Sequence, residues 1–192
     1  MATAEVRVLR AGERSASPWK NGGGVTREVA AFPEGADLGE FHWRVSLADV
    51  ARGGPFSAFP GIDRVITVVR GGGMVLTVDG TDHVVDEPYR PFAFSGDADT
   101  DCRLLEGALV DFNVMTRRGT VTARVDIVRG TTELTGPTVL AILFEGSAVL
   151  RPHDGGDAPE HLQPLDAVLL AGGGTVLEVD GTAAMVVLSP AG

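Results

Sequence analysis

The sequence is nearly without lysine: arginine occurs 15 times and lysine once, at Lys20. It is as short of cysteine. The single Cys102 excludes an internal disulfide framework and fits a reducing cytoplasm, and a lone thiol of this kind is ordinarily a small buried hydrophobe. There is no run of 18 or more apolar residues, so no membrane-spanning helix is expected. The opening Met1 to Arg7 lacks the basic-then-apolar order of a secretory signal, which agrees with a cytoplasmic protein. Nowhere do apolar residues recur at i, i+3, i+4 over 12 or more residues, which excludes long amphipathic helices. Basic runs are missing too. No cluster exceeds Arg117-Arg118 and the net charge is -10, so neither nucleic acid nor an anionic membrane is an expected partner.

Histidine is sparse and badly spaced for metal. Of His42, His83, His153 and His161, no two are separated by one residue. His83 with Glu87 comes nearest to a ligand pair, but it follows the Asp79-Gly80 turn, where a solvated loop is expected. No metal or other cofactor is therefore anticipated, because ligands must converge on one point. The nucleophile elbow Gly-x-Ser-x-Gly is absent. The triplets Gly71-Gly72-Gly73 and Gly172-Gly173-Gly174 lack the Lys-Ser ending of a phosphate loop.

What is present is strand texture. Val65–Val69, Met74–Val78, Phe92–Phe94, Asp111–Met115, Val139–Phe144, Ala148–Leu150, Ala167–Leu170, Val176–Val179 and Met185–Leu188 are short β-branched-rich runs cut by Gly, Pro and Asp. Leu47–Ala51 is the one stretch that reads as a helical turn. The chain is all-β, a sandwich or barrel.

An internal repeat organises these strands. Shifted by 75 positions, Val65–Gly80 falls on Leu140–Gly155, with Arg70-Gly71 over Glu145-Gly146 and Asp79-Gly80 over Asp154-Gly155. A second match, Gly71–Gly80 against Gly172–Gly181, is closer in letters but stops at its ends, as two hairpins with the same turn chemistry would. Two similar halves predict two jelly-roll barrels in one chain, a bicupin. The expected division is 1–115, carrying a ligand pocket, and 116–192, a scaffold or homodimer surface.

Unusual polar residues gather in the first half. Lys20 lies in Trp19-Lys20-Asn21-Gly22-Gly23-Gly24, where glycines let backbone approach something bound. Strand alternation separates Trp43 and Val45 from Arg44 and Ser46, and Asp111, Asn113 and Met115 from Phe112 and Val114. Polar residues at period two can line a barrel while the apolar set packs behind it. Trp19 and Trp43 offer aromatic walls. Lys20, Arg27, Arg44 and Arg64 offer cations for a carboxylate, and Asp63 and Asp111 can orient them.

These strings resemble one family. Trp19–Gly24 with Thr26-Arg27-Glu28, Trp43–Ser46, Gly54–Ser57 with Phe59–Arg64, and Asp111–Met115 are similar, in this order and spacing, to the HutD/Ves family. The resemblance implies a cytoplasmic bacterial bicupin with no obligatory metal. It implies a protein of histidine utilisation that binds a small anionic metabolite such as N-formylglutamate or urocanate and limits the pathway instead of catalysing a step. By motif, the implied pocket residues are Lys20, Asn21, Arg27, Trp43, Arg44, Ser46, Phe59, Asp63, Arg64, Asp111 and Asn113, with Arg64 first for the ligand carboxylate. Two alternatives stand beside a binding module: a metal-free isomerase or hydrolase with Lys20 as its base, and a partner-binding protein acting through its apolar second half.

Overall fold

The computed structural model describes residues 5–151, 158–172 and 174–192. His153, the Asp154-Gly155 end of the repeat and Gly173 lie outside them. In chain order the strands are β1 (Glu5–Leu9), β2 (Ala16–Pro18), β3 (Gly24–Phe32), β4 (Trp43–Val50), β5 (Gly54–Pro55), β6 (Ile62–Arg70), β7 (Met74–Val78) and β8 (Thr81–Val85). They continue with β9 (Phe92–Ser95), β10 (Thr100–Leu104), β11 (Leu109–Arg117), β12 (Val121–Thr135), β13 (Thr138–Arg151), β14 (Glu160–Leu162), β15 (Ala167–Ala171) and β16 (Gly174–Pro190). Among the described residues the only helix is a 3-10 turn at Ala11–Glu13. The chain is all-β, as its texture requires.

Two compact units form. The first comprises Arg14–Val121 with Ala191–Gly192, and the second comprises the residues up to Glu13 with Thr122–Pro190. The chain thus passes between units at Val121/Thr122 rather than at 115/116, and β1 belongs to the second unit. Its five residues pair with β15, from Glu5 opposite Ala171 to Leu9 opposite Ala167. Asp166 fixes this return: its carboxylate accepts from the Ala11 N–H at 2.8 Å, the Gln163 N–H at 3.1 Å and Arg10 at 3.0 Å.

The first unit is two sheets, ordered β2-β3-β4-β11-β6-β9 and β5-β10-β7-β8. They are open at their edges and share one core, in which Ala48, Val50, Ile66 and Val68 meet Met74, Leu76, Val85 and Cys102. Burial accounts for this core at roughly 25 cal/mol per Å² of apolar surface. Asp79 and Gly80 both adopt positive φ, 47° and 79°, and close a two-residue hairpin between β7 and β8.

The second unit repeats this wiring with fewer breaks. β6 pairs with β11 and β9, and β7 pairs with β10 and β8. Likewise the start of β13 pairs with the end of β16 and with β15, and the end of β13 pairs with the start of β16 and with β14. The 75-residue repeat is therefore a repeat of topology, and the two halves are the bicupin arrangement. The competing match fails because Gly71–Gly73 join β6 to β7, whereas Gly172 precedes β16 at a different place in the pattern.

Two local expectations are corrected. Leu47–Val50 is strand, not a helical turn, because β4 is held in register by β3 on one side and β11 on the other. His83 is not in a solvated loop. It lies in β8 opposite Leu76, half-buried, with its ring 5.0 Å from that of Phe92.

Candidate functional site

The larger sheet of the first unit carries three rows of side chains on one face. Register places Thr26, Ala48, Asp111 and Val68 in the first row. Glu28, Ser46, Asn113 and Ile66 form the second, and Arg44, Met115, Arg64 and Phe94 the third. Alternation along each strand sends these residues one way and Val45, Leu47, Phe112 and Val114 the other, where all four are buried.

This face floors a cavity of about 530 Å³, a volume suited to a small metabolite. Its walls are Trp19, Lys20 and Asn21 from the loop after β2, Leu38 from the loop after β3, and Phe56, Ser57 and Phe59 from the segment around β5. Lys20 and Asn21 sit on the exposed rim.

Arg64 is the central cation. It is 8% exposed, and its guanidinium carbon lies 4.9 Å from the Phe94 ring centre, 5.3 Å from Phe56 and 5.5 Å from Phe59. Rings at this range favour a cation through their π faces. Nη2 donates to Asn113 Oδ1 at 3.1 Å; among the described residues the buried Nε has no partner and Nη1 makes no hydrogen bond. Burial draws the guanidinium down to about 10; nearby Asp111 opposes this and Arg44 adds to it. Arg64 stays charged at neutral pH.

Asn113 is a go-between. Its Nδ2 donates to Asp111 Oδ1 while its Oδ1 accepts from Arg64. Asp111 is 1% exposed, and burial pushes its carboxyl up to about 7 against the pull of Arg64 and Asn113. Arg44 donates from Nε to Glu28 Oε2 at 2.7 Å.

Eight of the eleven sequence candidates line this cavity: Lys20, Asn21, Arg44, Ser46, Phe59, Arg64, Asp111 and Asn113. The other three do not. Arg27 faces the opposite way on β3 and pairs with Asp49. Trp43, one residue out of phase with Arg44, is buried and stacks on Phe32 with ring centres 6.4 Å apart. Asp63, one residue out of phase with Arg64, pairs with Arg118 at 2.7 Å on an exposed surface. In each case period two decides the face.

The glycine run packs closely against its own fold. A Cβ at Gly24 would lie 2.6 Å from the Asp49 carbonyl and 3.1 Å from the Trp19 ring. The tight approach therefore seats Trp19 on the cavity wall, where Nε1 donates to Thr26 Oγ1 at 2.7 Å. Asn21 Oδ1 likewise accepts from the Gly23 N–H at 2.8 Å and shapes the turn. Sequence reasoning missed Thr26 and Leu38 as lining. Thr26 shares the phase of Glu28 on β3; Leu38 sits in a loop, where no periodicity exists to read.

Among the described residues no three His, Cys, Asp or Glu side chains converge as a metal-ligand group. Nor is any helix among the described residues long and apolar enough to cross a membrane.

A family profile described as HutD matches residues 11–187. A Pseudomonas putida protein, an uncharacterized 21.2 kDa protein in the hutC 3' region, is 37% identical over 179 residues, 92% of this chain and 94% of its own. The solved structure of HutD from Pseudomonas fluorescens SBW25, in a formate condition, is 36% identical with a TM-score of 0.84, covering 98% of this chain and 100% of that one. The fold alone is shared with oxalate decarboxylase from Lactobacillus farciminis in its formate complex, at 8% identity and a TM-score of 0.64, over 94% of this chain and 83% of that one.

Proposed function

The chain belongs to the HutD family, and from that premise we propose that its cavity binds a small carboxylic acid of histidine utilisation and thereby limits the pathway without consuming the acid. One observation carries this reading. Arg64 is buried, charged and ringed by aromatics, yet among the described residues its buried Nε has no hydrogen-bond partner and Nη1 has none. A buried guanidinium is costly unless its donors are used, and a ligand carboxylate is the acceptor that matches a planar fork. The walls supply an apolar body contact through Trp19 and Phe56, whose rings meet edge to face at 6.4 Å. Lys20, on the exposed rim, adds positive charge at the mouth, fitting an acid with a second anionic end such as N-formylglutamate. Urocanate, with one carboxylate and a flat ring, fits the aromatic walls instead.

The test is thermal unfolding with N-formylglutamate, urocanate, glutamate and histidine. A ligand at 100-fold its dissociation constant adds about 2.7 kcal/mol, which raises the midpoint of a chain this size by roughly 5–10 °C. One acid should shift the midpoint in the unaltered protein, and the shift should shrink by about half or more after Arg64→Met. No shift with any acid at millimolar concentration overturns the reading. Proton NMR of the same samples should show the acid unchanged after long incubation; turnover would make the site that of a metal-free enzyme.

A further inference from the structure

We propose that Asp111 meets the bound anion as a neutral acid, so that filling the cavity takes up a proton from solvent. This rests on the carboxylate-binding reading above and adds to it how the site responds to pH.

The geometry leads there. Asp111 is almost wholly buried and lines the same cavity as Arg64. The two make no direct hydrogen bond, because Asn113 stands between them, accepting from Arg64 and donating to Asp111 Oδ1. Asp111 therefore leaves the guanidinium unneutralised by contact, and Nη1 remains for a ligand. Its own Oδ2 has no hydrogen bond among the described residues. A ligand carboxylate at Arg64 would bring a second negative charge onto a floor that already holds one. Two carboxylates sharing a dry site do not both stay ionised; one keeps a proton. The ligand is held by the cation, so the proton goes to Asp111 Oδ2, whose O–H can then donate to a ligand oxygen. The proton comes from buffer or water, and no bond of the ligand breaks.

The surrounding charges do not reverse this. From β4, Arg44 favours the ionised form, but Glu28 of β3 already accepts from it. Lys20 acts from the exposed rim. Asp49, on the far face of β4, opposes ionisation. From β10 the buried Cys102 thiol, pushed up to about 12 by burial and by Asp111 and Asp101, stays neutral. Strand β9 and the segment around β5 present Phe94, Phe56 and Phe59, which carry no titratable group. The free protein is already near balance at neutral pH, since burial, aided by Asp49 and opposed by Arg64 and Asn113, lifts the Asp111 carboxyl to about 7.

Calorimetry with N-formylglutamate and with acetate tests this on the full chain at pH 6, 7 and 8. Each pH is run in two buffers of different ionisation enthalpy. At pH 8 up to one proton should be taken up per ligand bound, and the dissociation constant should rise toward tenfold per pH unit above neutrality. At pH 6 little uptake should remain, because Asp111 is then protonated before the ligand arrives. Asp111→Asn, an isosteric stand-in for the neutral acid, should abolish both the uptake and the pH slope. Binding that needs Arg64 but shows no proton uptake and no pH slope in the unaltered protein overturns the proposal and spares the carboxylate reading. No binding of either acid overturns the proposal, and no binding of urocanate either overturns the carboxylate reading with it. The buffer comparison on the unaltered protein decides the matter even if the variant does not fold.

Discussion

At the scale of single residues, the site is one buried cation and one buried acid kept apart by an amide. Arg64→Met keeps length and apolar contact with Phe56, Phe59 and Phe94 while removing the charge. A hydrogen bond to a charged group contributes about 1.5–3 kcal/mol, so acid binding should weaken between about ten- and hundredfold with the fold retained. Titration calorimetry beside circular dichroism checks this; unchanged affinity would remove Arg64 from the site. Asp111 makes a separate prediction about stability. Its carboxyl is raised in the folded state, so the native protein holds a proton that the unfolded chain releases. Stability from this group is full below the ordinary carboxylate range and is lost as pH rises toward about 7, by at most about 1.4 kcal/mol per pH unit. Urea unfolding at pH 5, 6, 7 and 8 should show Asp111→Asn gaining on the unaltered protein as pH rises. Parallel profiles would show that the acid is ionised throughout.

At the scale of elements, alternation and corners set everything. Three strands in register, β4, β11 and β6, turn five scattered polar letters into a floor, to which loops add Lys20, Asn21 and Phe59, while residues one step away in sequence, Trp43 and Asp63, face elsewhere. The corners are set by glycine. Gly71 and Gly146, matched by the repeat, have φ of +98° and +84°, a region that side chains rarely enter. At Gly146 an added Cβ would run into the Asp180 carbonyl where β13 and β16 bend together. Gly146→Ala should therefore lower stability by about 2 kcal/mol or more, through strain and clash together. Gly172→Ala, with positive φ but open space around it, should cost less. Denaturant midpoints of the two variants compare these terms directly, and equal losses would mean that the clash relaxes away.

At the scale of the whole molecule, one wiring diagram carries two different interiors. In the first unit the paired positions of β6 and β11 hold Arg64 with Met115, Ile66 with Asn113, and Val68 with Asp111. The corresponding pairs of β13 and β16 are Val139 with Val187, Ala141 with Met185, and Leu143 with Ala183. These pack into the apolar core of the second unit, so the positions that make a floor in one unit make filling in the other. The chain should therefore bind one acid, not two. Calorimetry should give a stoichiometry of one per chain, and amide exchange should slow on ligand addition in β4, β6 and β11 without slowing in β13 and β16. Two equivalents per chain would mean that the second unit opens a site that its packing does not show.

The sequence by itself determined the all-β class, the repeat and the strand phases, because hydrophobic periodicity and turn chemistry are local and survive without a partner strand. It also carried the motifs that hold Arg64, Asp111 and Asn113, since a buried polar residue at period two between apolar neighbours stands out in one dimension. It did not reveal that β1 pairs with β15, that Leu47–Val50 is strand, or that the close approach at Gly24 seats Trp19 on the cavity wall. Each of those depends on which strand lies beside which. Pairing joins residues more than a hundred positions apart, and one residue of register decides which face a side chain takes. Only the tertiary structure could settle that, and with it which of eleven plausible side chains share a single cavity.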